Sequence, residues 1–477
     1  MKMNLTPKNK EILIIGTLLI LGLFTRFFGI GYQSIWIDEG STFYFTHYSL
    51  SELMDMAEPN SPIYHRMEGI FLDTLGQNEL ALRFTSAVAG ALTVPLAYML
   101  CMRLFNNRSA ALVASALFLM SPICLFYGQD GRGYAIVLML FIVQVLVLLK
   151  ALETERNAYW LIFSLLSAVQ FTMQYSGIIA TFTLYLYAGY RCLKDGISKD
   201  GYRLLRNILW SGILFLVLVS PLLWKYYYDT TYVFTESHRW SWCFVGLEYS
   251  INHLNDLLYR VPFSFILFPL AVIGAYLCFR RHRDHAVLLC IIMIFPLVLS
   301  TLISLSSNIT PRYSLWSTVG FYIAIGYILC EIDHDVLVSK KGVIAVSVLL
   351  LILAASVMPV YYTEVTKEDF RTGAEILSEN VEPGDLVLYA IGTENPVYAC
   401  ISFYYDPMAE GIETRGVMSD EEFWGMTDSW TSGDVYILIL SDYDPYDYLI
   451  NLDSANCEHI CEAYRINVFR ITGPLPH

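Results

Sequence analysis

The feature that most restricts the fold of this 477-residue chain is a series of long segments without charge. Four of them, residues 84–102, 109–129, 261–279 and 286–311, each contain between 19 and 26 residues. A helix needs about 20 apolar residues to cross roughly 30 Å of hydrocarbon. One buried helix of a soluble protein can have such a sequence, but a long series of them indicates a polytopic membrane protein.

The pattern predicts eleven membrane-spanning helices. They lie near 11–30, 82–101, 110–127, 133–149, 158–173, 177–190, 207–224, 262–279, 286–305, 314–330 and 342–359. The charge-free segment 157–190 is interpreted as two short helices, because polar residues and a glycine interrupt it midway. The interrupting residues are Gln170, Gln174, Ser176 and Gly177.

The distribution of basic residues predicts the orientation of these helices. With the N-terminus in the cytoplasm, 17 Lys and Arg residues fall in six short inner segments, whereas the much longer outer segments hold 11. The positive-inside rule therefore places the N-terminus in the cytoplasm and the C-terminal region outside the plasma membrane. The first apolar run lacks a small-residue cleavage site, which indicates a retained helix rather than a removed signal peptide.

Residues 360–477 form a second region, which is strongly acidic. It holds 22 Asp and Glu against 5 Lys and Arg, while residues 1–359 sum to about +3. Such a negative region argues against binding to nucleic acid. The sequence predicts a small α/β domain over residues 366–471. Its predicted elements are a helix over 367–380, buried strands over 386–390 and 434–440, and an edge strand over 464–471.

The ten cysteines lack metal-type spacing, and the chain has no CxxC, P-loop or GxGxxG motif. Cys243, Cys400, Cys457 and Cys461 are predicted to lie outside the membrane, where a disulfide could persist, but the sequence does not require one. Cys457 and Cys461 are four residues apart, which suits one helix face or a turn.

Two adjacent acids, Asp38 and Glu39, follow Trp36 in the outer loop after the first helix. In a purely structural role they would occupy the first turn of a loop helix, where the helix dipole stabilises acids. The residues alone favour that role. In a functional role, a carboxylate beside the bilayer would take the proton from an attacking hydroxyl, and its neighbour would tune its pKa.

Three arginines, Arg83, Arg132 and Arg312, are predicted at the outer ends of helices. A guanidinium offers a donor fork that matches phosphate, although any one of the three could instead extend to lipid headgroups. Their shared side of the membrane predicts a phosphate site. Asp130 could instead pair with Arg132 or Arg83 as a structural brace.

Other outer segments have structural interpretations as well as functional ones. Residues 60–66 suit a proline turn with Tyr64 as an aromatic anchor and His65 as a hydrogen-bonded loop histidine. The outer loop 225–260 is rich in Trp, Tyr and His, which is typical of an interfacial aromatic belt and is also compatible with stacking on a sugar.

In their order along the chain, these motifs resemble the protein O-mannosyltransferase and aminoarabinose-transferase superfamily, glycosyltransferase family 39 and its relatives. The segment Trp36–Glu39 is similar to its acidic motif, and Arg83–Gly90 to its Arg-x-x-Ser-x-x-x-Gly entry into the second helix. The remaining matches are Leu104-Phe105, Ser121-Pro122, Asp130–Tyr134, Pro311-Arg312-Tyr313 and Lys367-Glu-Asp-Phe-Arg371. The resemblance is strongest over about 30–135.

One motif departs from this pattern. Many bacterial relatives have His-Pro-Pro-Leu-Tyr where this chain has Asn60-Ser61-Pro62-Ile63-Tyr64. The difference puts the identity of the acceptor in doubt more than the class of reaction.

The resemblance implies a mainly α GT-C fold with about eleven transmembrane helices. The transmembrane domain would span 1–359 with a catalytic first outer loop at 31–81, followed by the α/β domain at 360–477. The implied reaction is an inverting transfer of mannose, or a related hexose or aminosugar, from a polyprenyl-phosphate donor. The acceptor would be a hydroxyl of a protein, glycan or lipid on the outer face.

The resemblance also implies roles for individual residues. Asp38 would be the general base with Glu39 supporting it, and Arg83, Arg132 and Arg312 would bind the donor phosphate or brace the acidic loop. The residues implied in positioning the acceptor or the loop are Tyr64, His65, Asp130 and Tyr134. No cofactor is required, and two adjacent acids without a DxD pair give little support for a divalent cation.

Two other functions are compatible with a polytopic chain. A transporter or flippase for lipid-linked sugars would usually show inverted repeats and ionisable groups at mid-bilayer. Here there is no internal repeat, and the notable charges are predicted at one face. A receptor or adhesion module anchored by the helices is the weakest alternative, because eleven helices exceed what an anchor needs.

Overall fold

The computed structural model describes residues 7–56, 61–154, 156–196, 198–236, 254, 256–258, 263–304, 310–332, 340–390, 394–417, 420–440 and 456–472. The chain folds as two compact units, each assembled from separate segments. The first unit comprises Met1–Phe28, Leu50–Tyr64 and Thr85–Tyr361. The second comprises Gly29–Ser49, His65–Phe84 and Tyr362–His477. Two pieces of the first outer loop, which the sequence assigned to the transmembrane domain, therefore belong to the C-terminal unit.

Helices make up most of the described structure. In chain order they are α1 (Pro7–Phe27), α2 (Ile37–Thr46), α3 (Leu50–Asp55), α4 (Pro62–Leu75), α5 (Glu79–Phe105), α6 (Arg108–Met120), α7 (Pro122–Gly128), α8 (Tyr134–Thr154), α9 (Asn157–Met173), α10 (Gly177–Asp195), α11 (Lys199–Glu236), α12 (Phe263–Arg281), α13 (Arg283–Ser304), α14 (Ser317–Ile332), α15 (Lys340–Thr363), α16 (Phe370–Asn380), α17 (Glu394–Ser402) and α18 (Asp420–Ser429). Each of the eleven predicted spans coincides with one of these helices, except the third, which covers the pair α6 and α7.

Among the described helices, five are long and apolar enough to cross a membrane on their own: α5, α8, α11, α12 and α13. The pair α6 and α7 bends by 58° and would make a sixth span if it crosses as one. The bend falls at Ser121-Pro122, where Pro122 opens α7 and the Ser121 hydroxyl caps it. The chain is an integral membrane protein, while the count of eleven crossings and their orientation stay predictions.

The predicted interruption of segment 157–190 is confirmed. Helix α9 ends at Met173 and α10 begins at Gly177. At Gly177 an added Cβ would lie 2.8 Å from the Gln170 carbonyl oxygen, so the tight return between the two helices requires glycine. A second close approach of two helix backbones occurs in the first unit, where Gly274 of α12 packs directly on the Ala324 carbonyl of α14.

The second unit contains a five-stranded sheet, which confirms the predicted α/β domain. Its strands are β1 (Leu386–Ala390), β2 (Glu413–Val417), β3 (Val435–Leu440), β4 (Cys457–Ala463) and β5 (Ile466–Ile471), in the order β2-β1-β3-β5-β4. Strand β1 is parallel to β2 and β3, and β5 is antiparallel to β3 and β4. Helices α2, α16 and α17 contribute to the core on one face of the sheet, and α18 covers the other.

Two expectations for this sheet were wrong. The strand predicted at the edge, β5, is internal and almost wholly buried, because β4 pairs along its outer side. Cys457 and Cys461 lie on β4 rather than on a helix or a turn. The described cysteines, including Cys400, Cys457 and Cys461, are free thiols, and Cys243 lies outside the described residues.

Candidate active site

The acidic motif opens helix α2. Asp38 and Glu39 occupy its first turn, as the structural interpretation expected, and the helix dipole stabilises both carboxylates there. The backbone N–H of Trp36 donates to Glu39 Oε2 at 3.4 Å, so Glu39 also caps the helix. The two acids differ in exposure, since Glu39 is completely buried and Asp38 is half-buried.

Glu39 lies in a buried cluster of three charged side chains. Arg83 donates from Nε to Glu39 Oε1 and from Nη2 to Oε2, both at 2.7 Å. Lys367 Nζ donates to Oε2 at 3.0 Å. The side chains of Glu39, Arg83 and Lys367 are 0%, 1% and 3% exposed. Removing one partner from such a cluster strands a buried charge, so the three residues act as one structural element.

All five N–H groups of the Arg83 guanidinium donate to protein acceptors. Besides the two bonds to Glu39, Nη1 donates to the carbonyls of Ile30 at 2.6 Å and Gln33 at 2.9 Å. Nη2 also donates to the Ser34 carbonyl at 2.9 Å. This arrangement favours the bracing role for Arg83 over the phosphate-binding role, because its donors already hold the segment that precedes α2.

A third carboxyl group, that of Glu368, is buried in the same unit as Asp38 and Glu39. Glu368 is 8% exposed, and its Oε1 lies 3.7 Å from Nη1 of Arg465. Its Oε2 has no hydrogen-bond partner among the described residues. Burial raises the pKa of the Glu368 carboxyl, and the nearby charge of Asp38 raises it further, against the opposing effects of backbone N–H groups and Arg465.

Helix α2 packs tightly against α17 within the second unit. A Cβ at Gly40 would overlap the Cys400 sulfur and lie 2.6 Å from the Pro396 carbonyl oxygen. The residue after Glu39 therefore has to be glycine for the helix to take this position. The C-terminal sheet and its helices thus support the acidic motif directly.

Tyr64 and His65 are adjacent in α4 and both are 1% exposed. Tyr64 belongs to the first unit and His65 to the second. The His65 ring lies 5.2 Å from that of Phe45, and the next residue, Arg66, donates to the carbonyls of Thr46 and Tyr48. His65 and Arg66 therefore attach the first turn of α4 to the C-terminal end of α2, and Asn60 lies outside the described residues.

The other predicted residues lie in the first unit. Asp130 and Arg132 form the turn between α7 and α8, where they are 0% and 9% exposed. The Ser86 hydroxyl donates to the Arg132 carbonyl at 2.8 Å and fixes the turn to α5. The guanidinium of Arg312 lies 5.5 Å from the ring centre of Tyr134, so the structure brings these two residues together.

A polar chain supports the Tyr134 ring. Its hydroxyl accepts a hydrogen bond from Gln174 Nε2 at 3.1 Å, and Gln174 Oε1 accepts one from the Ser61 hydroxyl at 3.3 Å. The first unit therefore presents Arg312 over an aromatic ring whose position is fixed by hydrogen bonds.

Sequence reasoning missed three buried cations. Arg26 is completely buried and donates to the carbonyls of Phe118 and Leu119, both at 2.8 Å. Lys225 is 3% exposed and donates to the Met56 carbonyl at 2.7 Å. For Arg26 and Lys225, the sequence signal was a single basic residue within or at the end of a long apolar segment. For Lys367, the signal was its place in the motif at residues 367–371, to which no role was given.

The Trp and His residues of the outer loop 225–260 are the remaining candidates from the sequence. His238, Trp240, Trp242 and His253 lie outside the described residues. Within the described ranges, no three His, Cys, Asp or Glu residues come together in a way that could hold a metal ion.

The chain thus has a helical unit and an α/β unit that carries a buried acidic motif, and comparison with known proteins shows which fold this is. The family of dolichyl-phosphate-mannose-protein mannosyltransferases matches residues 60–225. No curated protein matches the sequence.

Solved structures match over nearly the whole chain. The apo structure of ArnT from Cupriavidus metallidurans has a TM-score of 0.65 at 12% identity, and the match covers 98% of this chain and 100% of ArnT. The structure of the same ArnT bound to undecaprenyl phosphate has a TM-score of 0.62 at 12% identity with the same coverage. The arabinofuranosyltransferase AftD from Mycobacteria has a TM-score of 0.53 at 12% identity, covering 98% of this chain and 40% of AftD.

These matches confirm the resemblance drawn from the motifs. The chain has the GT-C fold of membrane glycosyltransferases.

Proposed function

We propose that the protein is an inverting glycosyltransferase that uses a polyprenyl-phosphate-linked sugar, with Asp38 as the general base. The observation that carries this proposal is that the two acids of the motif have different surroundings. Arg83 and Lys367 hold Glu39 in the interior, while its half-buried neighbour Asp38 remains within reach of a substrate. The likeness to ArnT bound to undecaprenyl phosphate supports a polyprenyl-phosphate donor.

The reaction is a single displacement at the anomeric carbon. Asp38 takes the proton of the acceptor hydroxyl, whose oxygen forms the new bond to the sugar as the bond to the phosphate oxygen breaks. The phosphate leaves with the electron pair, and attack opposite the leaving group inverts the anomeric centre. The sugar is mannose or a related hexose or aminosugar, and the acceptor is a protein, glycan or lipid.

The leaving phosphate develops charge that fixed cations stabilise. Arg132 and Arg312 are the candidates among the predicted residues, and the buried Lys225 is a further one. Arg83 does not bind the phosphate in this proposal, because its donors are occupied by Glu39 and three carbonyl oxygens. The reaction as proposed requires no bound metal or cofactor.

We place the N-terminus in the cytoplasm and the C-terminal unit outside the plasma membrane. The excess of basic residues in the six predicted inner segments supports this orientation. Alkaline phosphatase fused after the C-terminus would be active in intact cells in this orientation. An inactive but full-length fusion would contradict it.

The experiment that tests the function is transfer of radiolabel from a panel of polyprenyl-phosphate sugars into membranes. Wild type is compared with Asp38→Asn and with Asp73→Asn, which makes the same change at an exposed position of α4. We expect labelling from one donor with wild type and Asp73→Asn, and its loss with Asp38→Asn. Folded protein that binds donor lipids but transfers none of the sugars would favour a transporter or flippase instead.

A further inference from the structure

Helices α9 and α11 of the first unit form a groove of about 550 Å³ between their N-terminal halves. The residues that line it lie between Asn157 and Ser164 on α9 and between Arg206 and Val217 on α11. This volume is within the range of small-molecule binding sites. The proposed glycosyl transfer makes no use of the groove.

Hydrogen bonds among three helices hold the walls of this groove in place. The Ser164 hydroxyl of α9 donates to the Ser211 carbonyl of α11 at 2.9 Å. The Ser211 hydroxyl accepts a hydrogen bond from Tyr185 of α10 at 3.1 Å. Both serines line the groove, and both are buried. Because their hydroxyls are already bonded within the protein, the serines shape the groove and leave other groups to bind a ligand.

The side chains that come first along both helices offer donors for an anion. Arg206 is exposed in the groove and takes part in no ion pair among the described residues, and Asn207 beside it is 6% exposed. Trp160 is 4% exposed, and its indole N–H has no hydrogen-bond partner within the described part of the chain. Among the described residues, the lining includes this one basic residue and no acidic one. The groove therefore favours a negatively charged group.

The start of α9 adds backbone donors to these side chains. Its N-cap residue is Arg156, which makes no side-chain capping bond, and its first residue, Asn157, lines the groove. The N–H groups in the first turn of a helix are unpaired within the helix and bind phosphate well. The helix start and the Arg206 guanidinium together provide both kinds of donor that phosphate sites use.

The rest of the groove is apolar and faces outward. Leu161 of α9 and Trp210, Ile213 and Val217 of α11 line it and are between 49% and 65% exposed. Helix α11 is one of the described helices that are long and apolar enough to cross a membrane. These side chains therefore meet hydrocarbon, and an acyl chain can lie along them.

We propose that this groove binds a phospholipid with an anionic headgroup. The phosphate lies at the start of α9 beside Arg206, and one acyl chain follows α11. In the orientation proposed for the chain, the groove belongs to the cytoplasmic leaflet, where basic sites between membrane helices bind anionic headgroups. The lipid is distinct from the sugar donor, because the proposed transfer takes place at the outer face. The inference does not depend on Asp38 as the base.

The test measures lipid binding to the full-length protein in detergent by native mass spectrometry. The probe is dioleoyl-phosphatidylglycerol, compared with dioleoyl-phosphatidylcholine, which has the same chains and no net charge. We expect wild type to prefer the anionic lipid. Arg206→Gln should raise the Kd for this lipid by ~10-fold and abolish the preference, whereas Arg206→Lys should retain it. Trp160→Phe removes only the indole N–H and should raise the Kd by ~3-fold.

Matched controls make the same changes outside the groove. Arg280→Gln removes an exposed arginine near the end of α12, and Trp224→Phe changes a tryptophan of α11 that is 72% exposed. Both controls should bind phosphatidylglycerol as wild type does. Trp160→Phe also serves as the second test variant if Arg206→Gln folds poorly.

Three results would overturn the inference. One is equal affinity of wild type for the two phospholipids, and another is a wild-type Kd in both Arg206→Gln and Trp160→Phe. The third is displacement of phosphatidylglycerol from wild type by a lower concentration of undecaprenyl phosphate, which would assign the groove to the polyprenyl carrier. Loss of sugar transfer in Asp38→Asn with unchanged phosphatidylglycerol binding would support both proposals separately.

Discussion

The guanidinium of Arg83 and the carboxylate of Glu39 form a completely buried pair, with two hydrogen bonds of 2.7 Å between them. They are 44 positions apart in the chain, and both carboxylate oxygens of Glu39 accept hydrogen bonds from Arg83. Lys367 adds a third charge to the pair at 3.0 Å. The geometry makes Glu39 an anchor of helix α2.

Loss of the Arg83 side chain should destabilise the fold strongly. Arg83→Met leaves the buried Glu39 carboxylate with the Lys367 ion pair but without its two bonds to Arg83, and it leaves three carbonyls without their donor, for a cost of about 3–5 kcal/mol. The measurement is the midpoint of thermal unfolding in detergent. The control, Arg415→Met, breaks an exposed pair with Glu413 and should cost under about 1 kcal/mol. Equal losses for the two variants would contradict the bracing role.

Donor binding should depend on the cations of the first unit and not on Arg83. Arg132→Gln and Arg312→Gln each remove a candidate charge-assisted hydrogen bond of about 1.5–3 kcal/mol, so the Kd for undecaprenyl phosphate should rise by ~10–100-fold. Arg83→Lys, compared as folded protein, should change that Kd by less than about threefold. A larger effect from Arg83→Lys than from the other two variants would return Arg83 to the phosphate site.

Gly40→Ala should displace helix α2. The added methyl group meets the Cys400 sulfur and the Pro396 carbonyl, so the variant should lose about 1–3 kcal/mol of stability and lower kcat. Thermal unfolding and transfer kinetics check both effects. Gly425→Ala is the matched control, because open space surrounds that helical glycine and the change should be neutral or slightly stabilising. A Gly40→Ala protein as stable as Gly425→Ala would show that the two helices are not tightly packed.

The stability of the protein should depend on pH through Glu368. Burial raises its pKa in the folded state, so the folded chain holds this proton more tightly than the unfolded chain does. The resulting stabilisation is complete below the ordinary glutamate pKa and is lost as the pH rises through the raised value. The advantage in unfolding midpoint of Glu368→Gln over wild type should therefore grow between about pH 4 and pH 8. Exposed Glu375→Gln should show a constant difference, and a constant difference for Glu368→Gln would contradict the prediction.

Much of the helical architecture could be predicted because its cause is local. Each charge-free run in the sequence coincides with a helix or with the bent pair α6 and α7. The break between α9 and α10 at Gln174–Ser176 was visible as polar residues in an apolar segment. Strand β2 was missed because Thr414 and Gly416, rather than apolar residues, alternate with its exposed Glu413 and Arg415. The internal place of β5 depends on pairing with β3 and β4, which no local pattern specifies.

The site was predictable in its residue types and less so in their partners. The motif at Asp38 and Glu39 and the three arginines were found from the cost of charge near a membrane and from the family resemblance. The contact between Lys367 and Glu39 joins residues 328 positions apart, and nothing in either local sequence indicates it. The hydrogen bonds from Arg83 to three carbonyls likewise depend on the path of the backbone before α2.

The most direct test of the account is the steady-state kinetics of Asp38→Asn beside Asp73→Asn, with the donor that labels wild-type membranes. Asparagine preserves the shape of the side chain and removes the base, so kcat/KM should fall by ~10²–10⁴-fold while the unfolding midpoint and donor Kd stay close to wild type. Asp73→Asn should match wild type in all three. A kcat/KM for Asp38→Asn within a few-fold of wild type, in folded protein, would contradict the assignment of Asp38 as the general base.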